Sequence, residues 1–153
     1  MTLDRNARLY REIVEKALDA VIYSDREGLI RLWNIGAERM FGYSRSEALG
    51  QSLDLIVPES LRNRHWEGYH RVMATGRSRY ESDLLAVPAV RKDGSRISVE
   101  FTLVPIQDEN GRLEGIAAII RDVTERWNRD KETRQRLAQL EDQCRVESAE
   151  IRG

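Results

Sequence analysis

An α+β fold, with a five-stranded antiparallel sheet and helices gathered on one of its faces, is the architecture this 153-residue sequence predicts. Three observations lead there. Residues 96–103 alternate strictly: Ile97, Val99, Phe101 and Leu103 face one way, Arg96, Ser98, Glu100 and Thr102 the other. Turn signals at Asp93-Gly94 and Asn110-Gly111 flank that run and predict hairpins to β-prone neighbours. Upstream, Leu61, His65, Tyr69, Val72 and Met73 recur at the spacing of one helical face.

Taken in order, the chain opens with Leu3, Ala7, Tyr10, Val14 and Ala17 at three- and four-residue intervals, charged residues filling the gaps. That pattern predicts an amphipathic flanking helix over residues 1–18 with a narrow apolar seam. Ala20-Val-Ile-Tyr23 and Leu29-Ile-Arg-Leu-Trp33, separated by the polar Ser24 to Gly28, form a hairpin. Asn34 is placed to cap the helical stretch Ile35 to Phe41, and Gly42 to end it. Ser44 or Ser46 starts another turn that stops at Gly50, and Ser52 starts a third. Pro58-Glu59 then leads into the helix running to Gly76, since proline suits a first turn where its missing N–H has no partner.

The strand within Arg79 to Val90 contains Pro88, which places it at a sheet edge or makes it irregular. Leu113 to Ile120 is the most apolar strand and is expected at the centre. From Asp122-Val-Thr-Glu125 a long charged helix runs on, capped by Asp122 or Thr124. Leu137, Leu140, Cys144 and Ile151 give it a weak heptad seam that Glu147 interrupts. The expected organisation is therefore a flanking helix over residues 1–18, a domain over 19–123 and a signalling, coiled-coil helix over 124–153.

Composition narrows the function classes. Charged residues make up 33% of the chain and the net charge is −1, so there is no electrostatic footprint for nucleic acid or an anionic membrane. No apolar run approaches the roughly 20 residues a membrane span needs, and the polar first residues do not form a signal peptide. The single cysteine, Cys144, excludes an internal disulfide. A soluble cytoplasmic protein is expected. No nucleophile–base–orienter set, HExxH or phosphate loop is present, so no enzyme activity is expected.

Four stretches carry a family resemblance: Ala20 to Ile30, Trp33 to Tyr43, Glu47 to Gln51, and Arg91-Lys-Asp-Gly94 together with Ile119 to Glu125. On these the chain from about Ala17 to Glu125 resembles a PAS domain. The resemblance implies a sensory and dimerisation module. PAS ligands vary between haem, flavin, small metabolites and none, so the fold alone does not name the ligand. The pattern Pro58-Glu59 … Arg62-Asn-Arg64-His65 … Arg71 is similar to the haem-binding PAS domains of rhizobial oxygen-sensor kinases. That similarity implies His65 as iron ligand and metal-binding residue, with Arg71 and Arg79 toward the propionates. Imidazole suits iron, and arginine pairs with carboxylates through charge-assisted hydrogen bonds. Tyr69, Tyr80, Phe101 and Leu103 would line the cavity. The family's distal arginine falls at about Leu85, an aliphatic residue that cannot donate a hydrogen bond to bound oxygen. Carbon monoxide, nitric oxide or redox state then becomes the expected signal.

Two readings of different class stand side by side. One is a haem-based gas or redox sensor whose ligand state reaches the C-terminal helix through Asp122 to Glu125. The other is a ligand-free dimerisation module, or one holding flavin without a cysteine adduct, because Cys144 is far from the helical segment where an adduct would form. In either case a homodimer through the terminal helices and a sheet face is expected, signalling to a separate effector such as a histidine kinase or cyclase domain.

Overall fold

A computed structural model describes residues 2–77 and 85–151. The elements are α1 (Thr2–Lys16), β1 (Ala20–Asp25), β2 (Ile30–Trp33), α2 (Ile35–Phe41), α3 (Arg45–Ala48), single 3-10 turns at Leu53–Leu55 and Glu59–Leu61, α4 (Arg62–Thr75), β3 (Leu85–Val90), β4 (Arg96–Gln107), β5 (Leu113–Asp122) and α5 (Thr124–Glu150). The five strands form one sheet in the order β2-β1-β5-β4-β3, and each neighbouring pair is antiparallel. β5, the most apolar strand, is central as expected. β3 lies at the edge, where the missing N–H of Pro88 leaves no gap in an interior ladder. The two hairpin turns after β3 and β4 each use an aspartate side chain as local acceptor. Asp93 takes the Ser95 N–H at 2.9 Å, and Asp108 takes the Asn110 and Arg112 N–H groups at 2.8 Å each.

Residues 1–122 form one compact unit and 123–153 a second. In the first, α1 meets α2. The core lies between the inner sheet face and the short helices. Ala20, Ile22, Ile30, Trp33, Ile97, Val99 and Ile120 meet Ala37, Met40, Phe41, Ala48 and Ile56 there. The alternation read in β4 is kept: Ile97 and Val99 are buried, Phe101 and Leu103 half-buried, on the same side.

Asn34 organises the start of this unit. Its Oδ1 accepts from the amides of Ala37 (2.9 Å) and Val21 (2.8 Å), so it caps α2 and tethers β1 together. Its Nδ2 faces the carbonyl oxygens of Val14 (2.9 Å), Ala17 (3.2 Å) and Asp19 (3.0 Å). One fully buried amide thus closes the C-terminal end of α1, whose last carbonyls lack helical partners. Gly36 lies beside it because a Cβ there would stand 2.3 Å from the Asp19 carbonyl oxygen. Arg121 grips Asp19 through two bonds of 3.0 and 2.7 Å, tying the end of β5 to the turn after α1.

The narrow seam expected on α1 is wider in the structure. Val14 and Ala17 are half-buried, while Leu9 (53% exposed), Tyr10 and Ile13 (59%) present an apolar face to solvent. On the outer sheet face, Tyr23, Val21, Ala117, Ile119 and Val104 are neighbours by register. Val104 and Ile119 there are exposed.

The second unit is α5, 27 residues of helix with none buried. Val123, between Asp122 and Thr124, occupies the N-cap position, and an apolar side chain there makes no capping hydrogen bond. The helix continues to Glu150, with Leu137, Leu140 and Cys144 along one exposed stripe. Among the described residues no helix is long and apolar enough to cross a membrane.

Candidate functional site

α4 is the helix that covers the sheet near its β1–β5–β4 centre. It starts at Arg62 rather than Leu61, because Glu59–Leu61 is a 3-10 turn, and it ends at Gly76, whose φ of 68° supplies the left-handed cap. Arg62 fixes its beginning by donating to the carbonyls of Val57 (3.3 Å) and Asp54 (3.2 Å). One turn on, Trp66 Nε1 donates to Asp54 Oδ1 at 2.8 Å. The Trp66 ring rests on Gly28, where a Cβ would lie 2.2 Å from a ring carbon, and the φ of 79° at that position also favours glycine.

Tyr69 is the deepest residue of the helix, 5% exposed. Its ring and Val72 pack on Ile116, with Leu53, Trp66, Met73 and Leu103 around them. Its hydroxyl lies 2.9 Å from Ser24 Oγ and donates to the Asp25 carbonyl. Burial pushes the phenol up to about 12, so it stays a donor at ordinary pH. His65 lies one turn earlier on the same face. Its ring meets Trp66 edge-on at 4.9 Å and Tyr69 at 6.0 Å. Nδ1 is enclosed and has no hydrogen-bond partner among the described residues. Burial lowers the pKa of the imidazole and so favours the neutral ring, and the nearby Asp54 carboxylate opposes this by favouring the charged form.

The structure therefore brings together His65, Tyr69 and Leu103 from among the residues singled out by sequence. Phe101 packs one pair of residues further along β4 against the main core. Arg71 is exposed, and its carbonyl accepts from Thr75 Oγ1 at 2.7 Å. Arg79 and Tyr80 lie outside the described residues, as does the side chain of Leu85. His70 is exposed, as its helical phase requires. Sequence reasoning did not single out Ser24, Gly28 or Asp54 for this site. They lie some 12–45 residues from their α4 partners, and no local periodicity links them.

A buried imidazole nitrogen that lacks a partner and sits on a ring biased to neutrality fits an iron ligand, because metal ligation needs the unprotonated form. The donor chemistry for haem iron is thus present at His65, although the packing around it is closed. The space between α4 and the sheet is filled by Tyr69, Val72, Met73, Leu103 and Ile116, so a guest there requires α4 to move. Among the described residues no cluster of three or more His, Cys, Asp or Glu side chains forms a metal site.

A five-stranded antiparallel sheet with a helical segment laid over one face, and flanking helices at both ends, is the build of a sensory module. The chain belongs to the PAS family: the family model, described as PAS fold, matches residues 8–123. It is 30% identical over 131 residues to Sensor protein FixL of Bradyrhizobium diazoefficiens, covering 86% of this chain and 25% of that one. It is 28% identical over 121 residues to Oxygen sensor protein DosP of Escherichia coli, covering 79% and 15%. The crystal structure of a PAS domain from Colwellia psychrerythraea superposes with a TM-score of 0.68 at 25% identity, covering 82% of this chain and 99% of that domain. The chain spans a quarter or less of the two curated relatives' length. It is a PAS sensory domain of signal transduction.

Proposed function

We propose that the guest of this PAS domain is haem, held between α4 and the sheet with His65 as the iron ligand. The observation that carries this is the enclosed Nδ1, without a hydrogen-bond partner among the described residues, of a half-buried imidazole on the helix face turned toward the sheet. Such a group costs stability unless something uses the ring. His65 would orient the guest, Arg71 and Arg79 would pair with its propionates, and Leu103 and Phe101 would exclude water from its face. Tyr69 and Tyr80 complete the proposed lining. Bound haem supplies a centre whose ligand or oxidation state can change. With Leu85 at the position of the family's distal arginine, carbon monoxide, nitric oxide or redox state is favoured over oxygen.

The module is read as a sensor without catalytic activity of its own, acting in the cytoplasm. A change at the guest site shifts β5, and the junction Asp122 to Glu125 passes this to α5 and on to an effector such as a histidine kinase or cyclase domain. Two states with different guest affinity are required for this. The exposed apolar faces of α1 and the outer sheet favour a homodimer through the terminal helices and sheet.

The test is a hemin titration of the purified protein. A Soret band that saturates at one hemin per chain, and moves or disappears in His65→Ala, is expected. Failure of the wild-type protein to take up hemin sinks the haem reading. The filled space under α4 then favours the ligand-free dimerisation module.

A further inference from the structure

We propose that the Tyr69 hydroxyl is a latch that holds α4 shut on the sheet in the guest-free protein, and that releasing it is the gating step for a guest and the first move of the signal. This rests on the guest site proposed above. α4 has 14 residues but fully buries just Tyr69 and Val72, so apolar packing grips it weakly for its length. Its beginning is fixed by Arg62 and Trp66 at Asp54 and Val57. Beyond that anchored end, Tyr69 ties the helix to the sheet through Ser24 and Asp25. An element fixed at one end and fastened further on, among the described residues, by one polar side chain can pivot at the first and open at the second.

The position of the latch connects it to the output strand. Ser24 is one of two buried polar side chains among the described residues. It is paired in register with Ile116 of β5, and its Oγ also lies 3.4 Å from the Ile116 carbonyl. Ile116 in turn packs under Tyr69 and Val72. When α4 lifts, the Ser24 hydroxyl loses its phenol partner and Ile116 loses its cover at the same place. β5 ends at Asp122, six residues on. The raised pKa of the phenol keeps the latch in its donating form at ordinary pH, so opening depends on displacement rather than ionisation.

Tyr69→Phe removes the latch and leaves the ring packing in place. Amide hydrogen exchange of α4 in the guest-free variant should be at least about tenfold faster than in the wild type, as loss of the hydroxyl's bonds to Ser24 and Asp25 implies. Hemin association, followed by stopped-flow absorbance, should quicken by a similar factor. Ser24→Ala, which leaves the Asp25 carbonyl as acceptor, should act in the same direction and less strongly. Unchanged α4 exchange in Tyr69→Phe would overturn the latch, and so would unchanged or slower hemin uptake in a variant whose α4 does exchange faster. Faster exchange with no hemin uptake by either protein would keep the latch as a device of the fold and remove the haem reading alone.

Discussion

Replacing Asn34 by alanine should be among the most damaging single changes in this domain. The side chain is 0% exposed and serves five backbone groups from α1, β1 and α2 and the turn between α1 and β1. Alanine strips the Val21 and Ala37 amides of their acceptor, and each buried donor left unpaired costs about 1–3 kcal/mol. The carbonyls of Val14, Ala17 and Asp19 lose a donor as well, in part-buried positions where water can replace some of it. The sum, about 3–5 kcal/mol, is a large part of the roughly 5–15 kcal/mol that stabilises a domain. Asn34→Asp should not rescue it: the acceptor survives, but a carboxylate would then face three carbonyl oxygens. Urea unfolding followed by circular dichroism measures the loss, and hydrogen exchange at residues 14–21 reports whether the end of α1 frays first. A loss below about 1 kcal/mol for Asn34→Ala would refute the reasoning that this amide is the joint between α1 and the core.

Gly28→Ala should lose about 2 kcal/mol in urea unfolding, since it combines a left-handed φ with a clash against the Trp66 ring. Adding Trp66→Phe should return part of that. Glu47 is held down to about 2 chiefly by its hydrogen bond to Lys92, with the Ser44 amide second. Its folded pKa lies below the ordinary 4.5, so its contribution is present above pH 4.5 and is lost as pH falls toward 2. The Tm difference between wild type and Glu47→Gln should therefore be constant above about pH 5 and close by about pH 2. Placing aspartate at both Leu9 and Ile13 should raise the dissociation constant of the proposed homodimer about 100-fold or more by light scattering or sedimentation, with the monomer's fold intact.

Much of the fold was legible because it is written in local rules. The alternation of Ile97 to Leu103, the Asp-Gly and Asn-Gly turns, the Asn34 cap and the Gly42 stop each need only a few neighbouring residues to act. The central place of Leu113 to Ile120 and the edge place that Pro88 allows also showed through, whereas the pairing of β1 with β5, far apart in the chain, did not. Helix starts were less legible. The first turn before α4 is 3-10, and the N-cap position of α5 is held by the apolar Val123 between the two polar residues its sequence offers. The site was legible as one face of α4, through the spacing of His65, Tyr69 and Val72. The partners that give those residues their meaning were not.

Taken by itself, the sequence determined which segments are strands and helices, which faces are apolar, and that His65 would point where Tyr69 points. Those properties follow from backbone geometry and the 2- and 3.6-residue periods, which act over a few residues. The tertiary structure alone decided that the Tyr69 hydroxyl meets Ser24 and Asp25, that Trp66 lies on Gly28, and that Asn34 joins three elements. It also decided that the His65 nitrogen is enclosed without a partner among the described residues. Each of these joins residues that only the closing of the chain brings within bonding distance, and hydrogen bonds and steric contacts act over a few ångströms of space whatever the separation in sequence.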